Sequence, residues 1–193
     1  MHRARAPAYD AVAIGLHWLL AAAILTSLGV GLTMTGLPFS PLQLKLFNWH
    51  KWAGITILLL SALRLLWRLA HRPPPLPADV LAAMPAWQRH AHQATHALLY
   101  LLFFVVPLTG WAYSSARGFP VVWFGVWPLP DWVAVDKPFA DAVLKPLHHA
   151  CAYALAALAL LHVAAALKHQ WIDHDGLLRR MWPRRAEPEP GAN

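Results

Sequence analysis

Four long apolar stretches limit what this chain can fold into: residues 13–35, 50–70, 93–113 and 147–169. Each supplies the roughly 20 residues that a helix needs to cross a bilayer. The expected architecture is all-α, an integral membrane four-helix up-and-down bundle. Composition agrees, because 58% hydrophobic against 13% charged residues leaves too little polar surface to coat a soluble domain of this size. Arg3 and Arg5 precede the first run as they would in a signal peptide. That run is too long and lacks a small-residue cleavage site, so it reads as a retained span.

Lysine and arginine set the orientation. Arg3, Arg5, Arg64, Arg68, Arg72, Arg89, Lys168, Arg179, Arg180, Arg184 and Arg185 fall on one side, and Lys45, Lys51, Arg117, Lys137 and Lys145 on the other. Eleven against five puts both termini in the cytoplasm. The net charge of +7 is then a topology and lipid-headgroup signal. No basic patch with interleaved aromatics stands apart from the membrane flanks, so nucleic acid is not an expected partner.

Residues 1–185 read as a single transmembrane domain and residues 186–193 as a disordered tail. Between spans two and three, residues 72–87 carry Pro73, Pro74, Pro75, Pro77 and Pro85, the composition of a stiff linker. Residues 114–146 form the longest external connection, with Phe119, Trp123, Phe124, Trp127 and Trp132 suited to lying on the membrane surface. Trp18, Trp49, Trp52, Trp67, Trp111 and Trp171 sit near span ends as interfacial anchors. Cys151 is the lone cysteine, so no intrachain disulfide, Cys-rich iron–sulfur site or CxxCH haem attachment is available.

Histidines in these apolar runs are costly to bury and mark functional groups with partners. His17 lies early in the first span, His50 opens the second, and His148 and His162 share the fourth. Fourteen residues separate the last two, which returns the side chain to within about 40° of one face and spaces the two by about 21 Å. The up-down order brings His17 to the depth of His162 and His50 to that of His148. That is the set needed to clamp two haem irons from both sides, and bundle cores commonly hold such cofactors. Any haem here is non-covalent and b-type.

Gly31, fourteen residues after His17, lies at the outer depth, where a missing side chain makes room for porphyrin or for close helix packing. Arg64, fourteen residues after His50, reaches the inner depth, with Arg68 one turn on. Both are candidates to pair haem propionates, or to snorkel to headgroups. His92 and His96 have the one-turn spacing of a helical metal site but no carboxylate or cysteine beside them. His96 is also in reach of the inner haem or a quinone. His149 points about 100° away from His148. His169 is back on the face of His162 at the cytoplasmic boundary, a place to hydrogen-bond a quinone carbonyl or simply to be interfacial.

Several segments carry a family resemblance: Gly15-Leu16-His17-Trp18 in span one, His50 through Arg64 to Arg68 in span two, and His96 through Tyr100 to Pro107 in span three. The last runs from His148 through His162 and His169 to Leu177, Leu178, Arg179 and Pro183. From Tyr9 to Arg185 the chain resembles the bacterial cytochrome b561 family, itself similar to the b-type subunits of membrane hydrogenases and formate dehydrogenases. The resemblance implies a di-haem cytochrome of the bacterial inner membrane, with His17 and His162 on one haem and His50 and His148 on the other. It further implies an external one-electron donor, superoxide or a redox protein, and a membrane quinone acceptor at His169. Lys45 and Lys51 are placed to attract an anionic donor or to meet lipid headgroups. Two other readings are a membrane-anchoring haem subunit of a larger dehydrogenase, and a haem or metal carrier.

Overall fold

The structure, a computed structural model, describes residues 8–182, with the side chains of Asp79 and Ala83 excepted. Arg3, Arg5, Arg184, Arg185 and the tail at residues 186–193 lie outside the described residues. The chain forms four long antiparallel helices. The first, α1 (Ala11–Gly36), starts where the Asp10 carboxylate accepts the Ala13 N–H at 2.8 Å and stops at extended Leu37 before Pro38. After a short turn, α2 (Pro41–Ala70) is capped by Ser40, whose hydroxyl accepts from the Gln43 N–H, with Pro41 in the first turn.

That cap corrects the expected start of the second span. Helix α2 begins nine residues before His50, because Pro41 and Ser40 initiate a helix through Gln43 and Lys45 that hydropathy alone excludes. His50 therefore lies about 14 Å along its helix rather than at its mouth.

The proline-rich connection contains a short helix α3 (Ala78–Ala83), and α4 (Ala86–Ala116) follows. A short α5 (Lys137–Phe139), a π-helical turn (Ala140–Leu144) and α6 (Lys145–Trp171) run on as one rod. A 3₁₀ turn (Leu178–Met181) ends the described chain. Neighbours pack in the order α1 on α2, α2 on α4 and α4 on α6. All four rods are long and apolar enough to cross a membrane. Their outward faces carry large apolar side chains, Leu25, Leu66 and Leu160 being more than 60% exposed, a surface that needs lipid.

The two ends of the bundle are closed differently. At one end the strands β1 (Val122–Trp123) and β2 (Trp127–Pro128) make a hairpin through a tight turn with positive φ at Phe124 and Gly125. It is stitched down by Trp52 Nε1 to the Val122 carbonyl at 2.6 Å, Lys51 Nζ to the Pro120 carbonyl at 3.2 Å and Trp123 Nε1 to Thr56 Oγ1 at 3.3 Å. The long connection thus lies over the end of the bundle, held to α2.

Both described termini and the proline connection meet at the other end. Arg180, 5% exposed, donates from Nη2 to the carbonyls of Pro74 and Pro75 at 2.7 and 2.9 Å, and its own carbonyl accepts the Tyr9 N–H. Trp18 Nε1 donates to the Met181 carbonyl, and Trp67 Nε1 to Asp10. The proline segment is more than a linker, since its carbonyls hold the C-terminal turn in place. Several tryptophans expected only as lipid anchors also tie the helix ends to their loops.

Candidate functional site

Between the rods, four imidazoles face each other in two pairs. Near the hairpin end, His50 of α2 and His148 of α6 have ring centroids 6.1 Å apart, with planes at 83°. Near the end that holds the termini, His17 of α1 and His162 of α6 are 6.4 Å apart at 62°. The depths match because His50 is nine residues into its helix and His148 eleven residues beyond Lys137, where its rod begins.

Two imidazoles bound on opposite sides of one first-row metal, each nitrogen about 2 Å from it, hold their centroids roughly 6.3 Å apart. Both pairs fit that span. Aromatic rings in ordinary edge contact also fall in this range, so the hydrogen bonds matter more than the distance.

At the hairpin end those bonds fix the rings. His50 Nδ1 is 3.0 Å from the Ser27 carbonyl and 3.2 Å from Ser27 Oγ. His148 Nδ1 is 3.0 Å from the Val106 carbonyl and 3.3 Å from Thr109 Oγ1, whose own proton is directed at the Val105 and Val106 carbonyls. A carbonyl only accepts, so each Nδ1 carries the proton and each Nε2 keeps a lone pair for a metal.

Glycine makes both contacts possible. A Cβ on Gly31, four residues after Ser27, would lie 3.1 Å from His50 Cε1, and one on Gly110, four residues after Val106, would lie 2.9 Å from His148 Cε1. The residue at i+4 flanks the carbonyl of residue i on a helix, so any side chain there would push the imidazole off its acceptor. Gly31 thus lies directly against the ring of His50, a more specific role than room for a porphyrin.

The other pair is held differently. Among the described residues neither His17 nor His162 has a hydrogen-bonding partner for its ring. His17 meets Trp18 edge-on at 5.3 Å, and His162 meets His96 edge-on at 5.2 Å. His96 donates from Nδ1 to the His92 carbonyl at 2.8 Å, so its ring is anchored on its own helix. His96 thus stands beside the termini-end pair.

Arg64 lies beside this pair, donating from Nε to Tyr100 Oη at 3.2 Å and from Nη1 to the Ala13 carbonyl at 3.4 Å. Arg68 stands over the Tyr100 ring at 5.6 Å. With Tyr9, Asp10 and Trp67 these residues line a polar cleft at the termini end, where two guanidiniums present donors for carboxylates.

His169 is 13% exposed, and its Nδ1 is held by Asp175, itself 11% exposed, with Asp173 at 3.1 Å. Its Nε2 lies 3.5 Å from the Gln88 side-chain amide. Lys51 is committed to the Pro120 carbonyl, and Lys45 sits over the Trp49 ring at 4.8 Å. His149 makes a tilted ring contact with His148 at 6.2 Å.

Ser27, Val106, Thr109, Gly110 and Asp175 carry the geometry without having stood out in the sequence. A fourteen-residue count from His148 singles out no partner on α4, and a backbone carbonyl has no sequence signature. Gly110 was the one available signal, a glycine inside an apolar helix.

The family model of prokaryotic cytochrome b561 matches residues 8–184. Cytochrome b561 homolog 2 of Escherichia coli is 33% identical over 174 residues, 90% of this chain and 90% of the relative. Cytochrome b561 homolog 1 of the same organism is 29% identical over 181 residues, 89% of this chain and 95% of the relative. A protein of Yersinia pestis named probable superoxide oxidase CybB is 29% identical over 180 residues, 92% of this chain and 97% of the relative. The family implies b-type haem, membrane electron transfer and a bacterial membrane location, all of which suit a polytopic helix bundle with half-buried facing imidazoles. This chain belongs to the prokaryotic cytochrome b561 family.

Proposed function

We propose that the protein carries electrons across the membrane through two non-covalent b haems, one held by His17 and His162 and the other by His50 and His148. The observation that carries this reading is the pair of facing imidazoles at two depths of the bundle, with one member of each on α6. A bound haem supplies a one-electron carrier, and the protein sets its environment. The chain's residues bind and orient: Nδ1–H bonds at Ser27 and Val106 aim two Nε2 atoms inward, while Arg64 and Arg68 offer donors to propionates.

The lysine and arginine bias supports an orientation with the termini end in the cytoplasm and the hairpin end outside. A one-electron donor is oxidised at the hairpin end and a quinone is reduced at the termini end, near His169. Superoxide is our proposed donor, prompted by the name of the Yersinia relative. Two superoxide anions then give two dioxygen molecules, and the quinone takes the two electrons with two protons. Asp175 fixes the His169 ring through Nδ1, and Nε2, met by the Gln88 side-chain amide at 3.5 Å, faces the position of a quinone carbonyl; the doubly protonated ring would pass its Nε2 proton to that carbonyl.

Stopped-flow mixing of purified holoprotein with superoxide, followed by a short-chain ubiquinone, tests the whole reading. Rapid haem reduction followed by quinone-dependent reoxidation is expected. Haems that superoxide leaves oxidised would remove that donor, and reduced haems that quinone leaves unchanged would remove the acceptor.

The exposed aromatic hairpin, with Phe119, Phe124 and Trp127 each more than half exposed, also suits a docking subunit of a larger dehydrogenase. Copurification of a partner from native membranes, with no turnover by the isolated chain, would favour that reading.

A further inference from the structure

The two histidine pairs differ in a way that bears on the direction of electron flow. Both rings of the hairpin-end pair donate Nδ1–H to a main-chain carbonyl at 3.0 Å, with a hydroxyl oxygen as second acceptor. Neither ring of the termini-end pair has such a partner among the described residues. Donation from Nδ1–H makes an imidazole a more basic ligand and favours the more positive oxidation state of the metal it binds.

Cations are distributed the opposite way. Arg64 stands at the termini-end pair, its guanidinium bonded to Tyr100 Oη and to the Ala13 carbonyl one turn before His17 on α1. The nearest hairpin-end candidates by sequence, Lys45 and Lys51, are turned to the Trp49 ring and the Pro120 carbonyl. A fixed positive charge favours the reduced state of a nearby redox centre, strongly so in a low-dielectric interior.

Both effects have the same sign. Resting on the two-haem reading above, we propose that the two glycine-notched clefts, Ser27 with Gly31 and Val106 with Gly110, make the hairpin-end haem the lower-potential member. Arg64 makes the termini-end haem the higher one. An electron entering at the hairpin end then moves downhill toward the termini end, and the reverse transfer is uphill. Ser27 and Thr109 are positioning residues that act through the ligands, whereas Arg64 acts by its charge.

Spectroelectrochemical titration of the purified two-haem protein tests this directly, with the low-spin electron paramagnetic resonance signals recorded as a check that ligation is intact. Two reduction waves are expected. Ser27→Ala and Thr109→Val each remove one hydroxyl acceptor and should raise the lower wave while leaving the upper one in place. Arg64→Gln should lower the upper wave alone. The wave that survives in His162→Ala should be the lower one. An Arg64→Gln shift in the lower wave, hydroxyl deletions that move the upper wave or neither, or survival of the upper wave in His162→Ala would each overturn the assignment. Should His162→Ala fail to fold, the three milder variants decide the order on their own. A protein with fewer than two haems contradicts the two-haem reading instead, so the two failures are distinguishable.

Discussion

A Cβ on Gly110 would stand 2.9 Å from His148 Cε1, closer than side chains normally approach. The equivalent contact at Gly31 would be 3.1 Å from His50. Two rings on different helices are thus seated by one device, a helix carbonyl left accessible by a glycine one turn later.

Filling either notch should disturb the hairpin-end haem and little else. Gly110→Ala is expected to cost about 1–3 kcal/mol, as overpacking of a tight contact does. It should reduce occupancy at that site while the termini-end spectrum persists. Gly31→Ala should do the same more mildly, given its longer contact. Haem-to-protein ratio and thermal unfolding of the two variants check this, and full retention of both haems with unchanged stability would argue against the seating role.

Separate loss of each haem should follow from separate ligand removal. His162→Ala should abolish the termini-end absorption and His50→Ala the hairpin-end absorption, because the pairs share no histidine. Simultaneous loss of both signals in correctly folded variants would contradict the pairing.

Quinone kinetics should depend on the His169 and Asp175 pair. Proton transfer by a positioned side chain contributes roughly 10²–10⁴-fold, so His169→Ala should slow quinone-dependent haem reoxidation by a factor in that range with both haems retained. Asp175→Asn should lower kcat more than it changes KM and alter the pH profile, and Asp175→Glu should recover part of the rate. Unchanged reoxidation in His169→Ala would remove the residue from the site.

Acid should loosen the start of α1. The Asp10 carboxyl is held below its ordinary value mainly by the Ala13 N–H, with the Trp67 indole adding to it and partial desolvation opposing it. A depressed folded-state pKa contributes stability that is complete above the unfolded value near 4 and is lost as pH falls through the folded value. Asp10→Ala should therefore destabilise by about 1 kcal/mol at neutral pH and make little difference in strong acid. Denaturation followed at both pH values measures the contrast.

Much of this arrangement was legible in the chain itself. The four spans follow from hydrophobic run length, and the fourteen-residue spacing of His148 and His162 predicts one face at two depths. Pairing with His17 and His50 then follows from alternating helix direction. The starts of α2 and α4 were not legible in hydropathy, because Gln43, Lys45 and Arg89 extend the helices into polar surroundings where capping and tertiary contacts set the ends. Nor were the acceptors for His50 and His148, since two of them are backbone atoms from helices that meet only on folding. Asp175 has no signature of its own in the sequence, because it follows α6 in an irregular segment where the chain must turn back to bring it to His169.

The proposed protein holds two haems per chain, each between two imidazoles. The most direct measurement is the ratio of acid-extractable haem b to protein in the purified chain, read together with its low-spin electron paramagnetic resonance spectrum. Two haems are expected, both low-spin, with the hairpin-end signal the more anisotropic, given the near-perpendicular rings of His50 and His148. A single haem, a high-spin spectrum, or a colourless protein after expression with ample iron and porphyrin would contradict it.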